Sequence, residues 1–140
     1  MSLIAGVAGV AGVAGVTLVT GAFGRRPATA PSEHDQAQAN LLRLTQSADA
    51  GPVGHVLLPQ LSHPTAAALV VALTTRLSQV ADAEISGSSS AQTLQQAFQQ
   101  AVLADFAEAR CCAVGGWVLT RTEAELCALT ALAQSSADSA

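Results

Sequence analysis

The chain has 140 residues, half of them hydrophobic, with ten acids against six basic residues, all arginine. From Ser32 onward four arginines stand against ten acids, a formal charge of −6, and Phe98, Phe106 and Trp117 are the only aromatic residues. That balance excludes nucleic acid, which needs a basic stripe or an aromatic platform, and for this part it excludes an anionic membrane surface.

The chain opens on an uncharged run, Leu3 to Gly24, in which Ala-Gly-Val repeats four times between Ala5 and Val16; Arg25, Arg26 and Pro27 close it. As a helix this run would be about 33 Å long, close to a bilayer core of about 30 Å. Its nine strongly apolar residues favour insertion by about 3–4 kcal/mol in all. Six glycines oppose that, each lowering helix propensity by about 1 kcal/mol relative to alanine. Residues 1–26 therefore read as a marginal membrane anchor or a signal segment, with Ala22-Phe23-Gly24 and Ala28-Thr29-Ala30 as cleavage candidates. Glycine every third residue drifts around a helix and builds no GxxxG-type seam. The run also lacks the proline that a collagen-like triplet requires.

Residues 27–31 are a linker, 32–135 a helical domain, and 136–140 a disordered tail. The expected fold is mainly α: a small bundle of about four helices with a short turn or hairpin around Trp117, preceded by the N-terminal apolar helix. Ser32, with Asp35 three residues on, starts the first helix, and Asp49-Ala50-Gly51-Pro52 stops it. Residues 53–61 form a turn or short helix, because Pro59 argues against a long one. Ser62-His63-Pro64-Thr65 then opens a helix whose Leu69, Val70, Leu73, Leu77 and Val80 make a core stripe. Ser86 to Ser90 reads as a flexible linker and Ser90 as a cap. The next helix runs to about Ala109, directing Leu94, Phe98, Val102 and Phe106 inward and five glutamines to solvent.

Cys112 to Leu119 carries two glycines among β-branched residues, the pattern of an extended turn or small strand pair. Thr120 with Glu123, and Thr122 with Glu125, both fit a capping box, so a last helix begins there and turns Leu126, Leu129 and Leu132 inward. The stretch Gly116-Trp117-Val118-Leu119-Thr120-Arg121-Thr122-Glu123-Ala124, followed by Leu126-Cys127-Ala128-Leu129, resembles the C-terminal segment of small exported proteins that accompany larger periplasmic or membrane-bound oxidoreductases. These are similar to the small subunits of flavin-dependent sugar and alcohol dehydrogenases. The resemblance covers about 20 of the 140 residues. It implies a helical escort subunit without a cofactor, on the periplasmic side of a bacterial inner membrane, with Trp117, Val118, Leu119 and Arg121 as partner-binding residues. Such subunits carry twin arginines ahead of the apolar segment, whereas Arg25 and Arg26 follow it here. The positive-inside rule leaves a cytoplasmic orientation open.

Chemistry has few footholds. Cys111, Cys112 and Cys127 are either three unpaired cysteines or a bridge from Cys127 to one of the adjacent pair, which ordinary disulfide geometry favours over a vicinal bond. His34, His55 and His63 lack zinc-ligand spacing. The carboxylates look dispersed along helix faces, so no acid/base pair is visible. No catalytic, cofactor or metal residue is assigned. Three readings follow: an accessory subunit docking on a larger oxidoreductase, a membrane-anchored interaction module without an enzyme partner, and a small thiol redox protein.

Overall fold

The computed structural model describes residues 29–46, 49–62 and 64–140; the apolar segment 3–24 and His63 lie outside them. Ser32 starts α1 (Glu33–Arg43). Its hydroxyl accepts from the Asp35 N–H at 3.1 Å, and the Asp35 carboxylate accepts from the Ser32 N–H at 3.1 Å. Two otherwise unpaired donors are satisfied reciprocally, and the Ser32 hydroxyl, donating to the Asp35 carboxylate at 2.8 Å, together with the Ser32 N–H holds that carboxyl below its ordinary value.

The Asp49–Pro52 stretch, expected to be a helix stop, is the start of a second helix, α2 (Ala50–Leu57). A proline in the first turn gives up an N–H that has no helical partner there, so Pro52 is compatible with a start. Pro59 then falls in a 3₁₀ turn, Leu58–Gln60, that ends the segment. Thr65 caps α3 (Ala66–Ala81), whose Leu69, Val70, Leu73 and Leu77 are buried as their spacing predicts. Asp82 ends α3 in the left-handed region at φ 49°.

The serine-rich stretch after α3 is not a free linker. Ile85 and Gly87 are buried, and the Asn40 side-chain amide donates to the Gly87 carbonyl at 2.7 Å. A Cβ on Gly87 would come within 2.7 Å of the Glu33 carbonyl, so α1 and this turn pack backbone to backbone. Ser90 caps α4 (Ala91–Ala107) by accepting from the Thr93 N–H at 3.1 Å.

The stripe on α4 differs from the expected one. Leu94, Ala97, Ala101 and Asp105 are buried, Phe98 and Val102 are half-buried, and Phe106 is 53 % exposed. Each four-residue step advances about 40° around a helix of 3.6 residues per turn, so 94, 98, 102 and 106 wind out of the core. A step of three followed by two of four keeps 94, 97, 101 and 105 on one face.

Two short strands follow, β1 (Cys111–Val114) and β2 (Trp117–Thr120), paired antiparallel with Cys112 opposite Leu119 and Val114 opposite Trp117. The last helix, α5 (Arg121–Asp138), is capped by Thr120 through a box with Glu123, so the first of the two candidate boxes is the one used. It continues through residues 136–138, which were expected to lie in a disordered tail, with the Ser135 and Ser136 hydroxyls donating to carbonyls one turn back.

The protein is mainly helical: five α-helices, including the short α2, and one two-stranded hairpin among the described residues. α5 is the central element. Leu126, Ala128 and Leu129 on it pack against α1, α3 and α4 in a core that includes Leu41, Leu73, Leu77 and Leu94. On its other side α2 and the hairpin add a smaller cluster of Leu57, Val114 and Ala124.

Candidate docking site

The hairpin turn is Gly115-Gly116, with φ of +55° and +86°. Two consecutive positive φ values match the twist of flanking strands, and glycine adopts them without a Cβ penalty. Nothing lies within 4 Å of where a Cβ would stand on either glycine. The cost of substitution is therefore purely conformational, and Gly116→Ala should lower stability by about 1–2 kcal/mol, readable as a shift of the urea midpoint.

This turn projects Trp117 and Val118, which are 69 % and 64 % exposed. Leu119 turns back and lines a groove of about 670 Å³ with Trp117, Val53, Phe98, Leu126 and Cys127. The groove is mostly apolar because α2 supplies its wall from Val53 and Pro52, and α4 supplies Phe98 from the half-buried part of its winding stripe. Asp49 and Glu123 are the acids at its edge.

Of the four residues expected to bind a partner, Trp117 and Leu119 share this groove. Val118 is on the opposite face of the hairpin, beside Ala113. Arg121 is elsewhere: it lines a second groove of about 460 Å³ with Arg110, Cys111 and Cys112, and its Nε donates to Glu125 at 3.0 Å. Cys111, Cys112 and Cys127 are free thiols, with Cys111 exposed. Burial, the neighbouring Cys111 and the charge of Glu123 push the Cys112 thiol up. Burial first, then Glu123 and Cys112, do the same to Cys127.

Beneath the hairpin lies a charged cluster whose members looked dispersed in the sequence. Asp105 is fully buried. One of its oxygens accepts from the Thr122 N–H at 2.8 Å and the Thr122 hydroxyl at 2.6 Å, and the other accepts from Arg110 Nε at 2.8 Å. Glu125 receives both Arg76 terminal nitrogens, at 2.6 and 3.0 Å, in a bidentate pair. Arg110 also pairs with Glu108. Burial alone would raise the Asp105 carboxyl, but the Thr122 and Arg110 donors and the Arg76 charge outweigh it and hold it below the ordinary carboxylate range. Arg110 is raised in turn, first by its bond to Asp105.

This cluster joins α3, α4, the foot of the hairpin and the start of α5. Every buried side-chain nitrogen and oxygen among the described residues has a partner. Asp105 is fully buried, and its bonds to Thr122 and Arg110 tie the foot of the hairpin to the bundle. Among the described residues no group of three or more His, Cys, Asp or Glu side chains could hold a metal ion, and no helix is long and apolar enough to cross a membrane. A signal for the cluster existed in the sequence: Asp105 stands four residues after Ala101 and continues the helical steps of three and four that join Leu94, Ala97 and Ala101. No protein-family model, curated protein or solved structure matches the chain.

Proposed function

We propose that this protein is a non-catalytic accessory subunit that docks, through the Trp117 hairpin and its adjoining groove, on a larger exported or membrane-bound oxidoreductase. The observation that carries the docking reading is Trp117, 69 % exposed at an apolar groove that it lines with Leu119, Val53 and Phe98. A large exposed aromatic at the start of a strand, next to a tight turn, is the kind of anchor that dominates binding energy at interfaces. The groove beside it offers a partner side chain an apolar seat. The oxidoreductase as partner class rests on the resemblance carried by residues 116–129. In this reading residues 3–24 bring the domain to the membrane, and the domain works on the periplasmic side.

Affinity purification of the full chain from membranes, with intact-mass analysis, tests the reading. A co-purifying flavoprotein or other large redox subunit is the expected result. A lone soluble monomer retaining its first 24 residues would overturn it, and self-association alone would favour an interaction module without an enzyme partner. Trp117→Ala should leave stability within about 0.5 kcal/mol while weakening capture of the partner roughly ten- to a hundredfold, measured by competition binding.

A further inference from the structure

We propose that Cys112 and Cys127 are a dithiol pair that closes into a disulfide tying the hairpin to α5, leaving Cys111 as the free thiol. The sequence left the partner of Cys127 open between two adjacent cysteines. Strand alternation separates them. Cys112, Val114 and Leu119 are on the inward side of the hairpin, whereas Cys111 is exposed and pairs across the strands with Thr120. Cys127 lies three residues after Ala124 and four after Glu123, so all three share the side of α5 that meets the hairpin. Cys112 and Cys127 pack against the same small cluster of Leu57, Val114 and Ala124. Each thiol is raised by burial and by the charge of Glu123, which agrees with one shared environment.

The step balances with a small disulfide as oxidant. The Cys112 thiol loses its proton, and the thiolate attacks the oxidant, forming a mixed disulfide and releasing one thiol. The Cys127 thiolate then attacks Cys112 Sγ and expels the second thiol. The protein gives up two electrons and two protons, and one oxidant disulfide becomes two thiols. The product ties the strand that leads into Trp117 to the central helix, so the anchor of the docking surface is held covalently. This inference does not depend on which partner docks.

The full chain is incubated with oxidised glutathione, its free thiols are alkylated, and it is cut after arginine without reduction. Cleavage after Arg110 and Arg121 places Cys111 and Cys112 in one peptide and Cys127 in another. The expected result is a disulfide-linked pair of these peptides with Cys111 alkylated. The link should persist in Cys111→Ala and disappear in Cys112→Ala. An intrapeptide Cys111–Cys112 bond, a link undiminished in Cys112→Ala, or only glutathione adducts and intermolecular dimers would overturn the proposal. In either docking outcome above, this readout is unaffected.

Discussion

Asp105→Ala should lower the stability of the protein by about 3–5 kcal/mol, the range for removing one partner of a buried charge pair. Its carboxylate accepts three hydrogen bonds, two from Thr122 and one from Arg110. Truncation leaves a buried N–H and a buried hydroxyl without acceptors, and a guanidinium without its inward partner. Domains of this size are stable by about 5–15 kcal/mol in total, so the variant should be largely or partly unfolded in modest urea. Asp105→Asn keeps one carbonyl acceptor and should lose less, about 1–3 kcal/mol. Urea titration followed by circular dichroism measures both. An Asp105→Ala variant within about 1 kcal/mol of its parent would show that the cluster contributes little net stability, as some buried ion pairs do.

The same residue sets part of the acid response. The folded-state carboxyl of Asp105 lies below its ordinary value, so folding favours its ionised form. Its contribution is complete above the unfolded-state value of about 3.9 and is lost as pH falls through the lower folded value. Stability should therefore fall with acidification below about pH 4. In Asp105→Asn that fall should be shallower, because one fewer carboxylate is forced to take up a proton on unfolding. Asp35, also lowered by its bonds to Ser32, contributes with the same sign in both proteins and cancels from the comparison. Thermal unfolding across pH 2.5–6, roughly the range spanning both carboxyl states, checks the difference in slope.

Which parts were legible in the sequence follows from the range of the forces involved. Ser32, Thr65, Ser90 and Thr120 cap helices within three residues of themselves, so local chemistry identified four helix starts. Leu69, Leu73 and Leu77 sit in the core because a long apolar stripe fixes one helix face. The glycine pair between β-branched residues likewise marked the hairpin. Interactions across distant segments were not legible. Arg76 and Glu125 are 49 residues apart, and only the packing of α3 on α5 brings them together. Asp105 is not legible because a charged residue reads locally as solvated, even at a core position. Phe106 reads as a core residue because it is large and apolar, although helical winding carries it about 120° away from Leu94. The groove beside Trp117 is not legible in any single segment. It is made by Val53, Phe98 and Trp117 from three elements, and only Trp117 stood out in its own segment.

Gly54→Leu should cost about 3 kcal/mol or more, at or above the top of the usual range for overpacking a core. A Cβ at Gly54 would collide with the Cys127 carbonyl and come within 2.8 Å of the Ala131 side chain. The first of these is α5 backbone, which cannot swing aside, so α2 itself would have to move. Gly51 is a sharp contrast within the same helix. The nearest atoms to a Cβ there all belong to the end of the Gln134 side chain, which is exposed and can give way more cheaply than backbone. Gly51→Ala should therefore be neutral or stabilising by up to about 1 kcal/mol, the helix-propensity difference between the two residues. Thermal denaturation of Gly51→Ala and Gly54→Ala separates close backbone contact from intrinsic propensity, because propensity alone predicts stabilisation at both positions, and Gly54→Ala should instead destabilise. The consequence extends to docking. α2 carries Val53 and Pro52, one wall of the groove beside Trp117, and moving that helix away from Cys127 would open the groove from its side. Gly54→Ala should thus weaken partner capture while leaving Trp117 in place, whereas Gly51→Ala should leave capture unchanged. Loss of capture in Gly51→Ala with its fold intact would show instead that the groove wall tolerates no change on α2 at all.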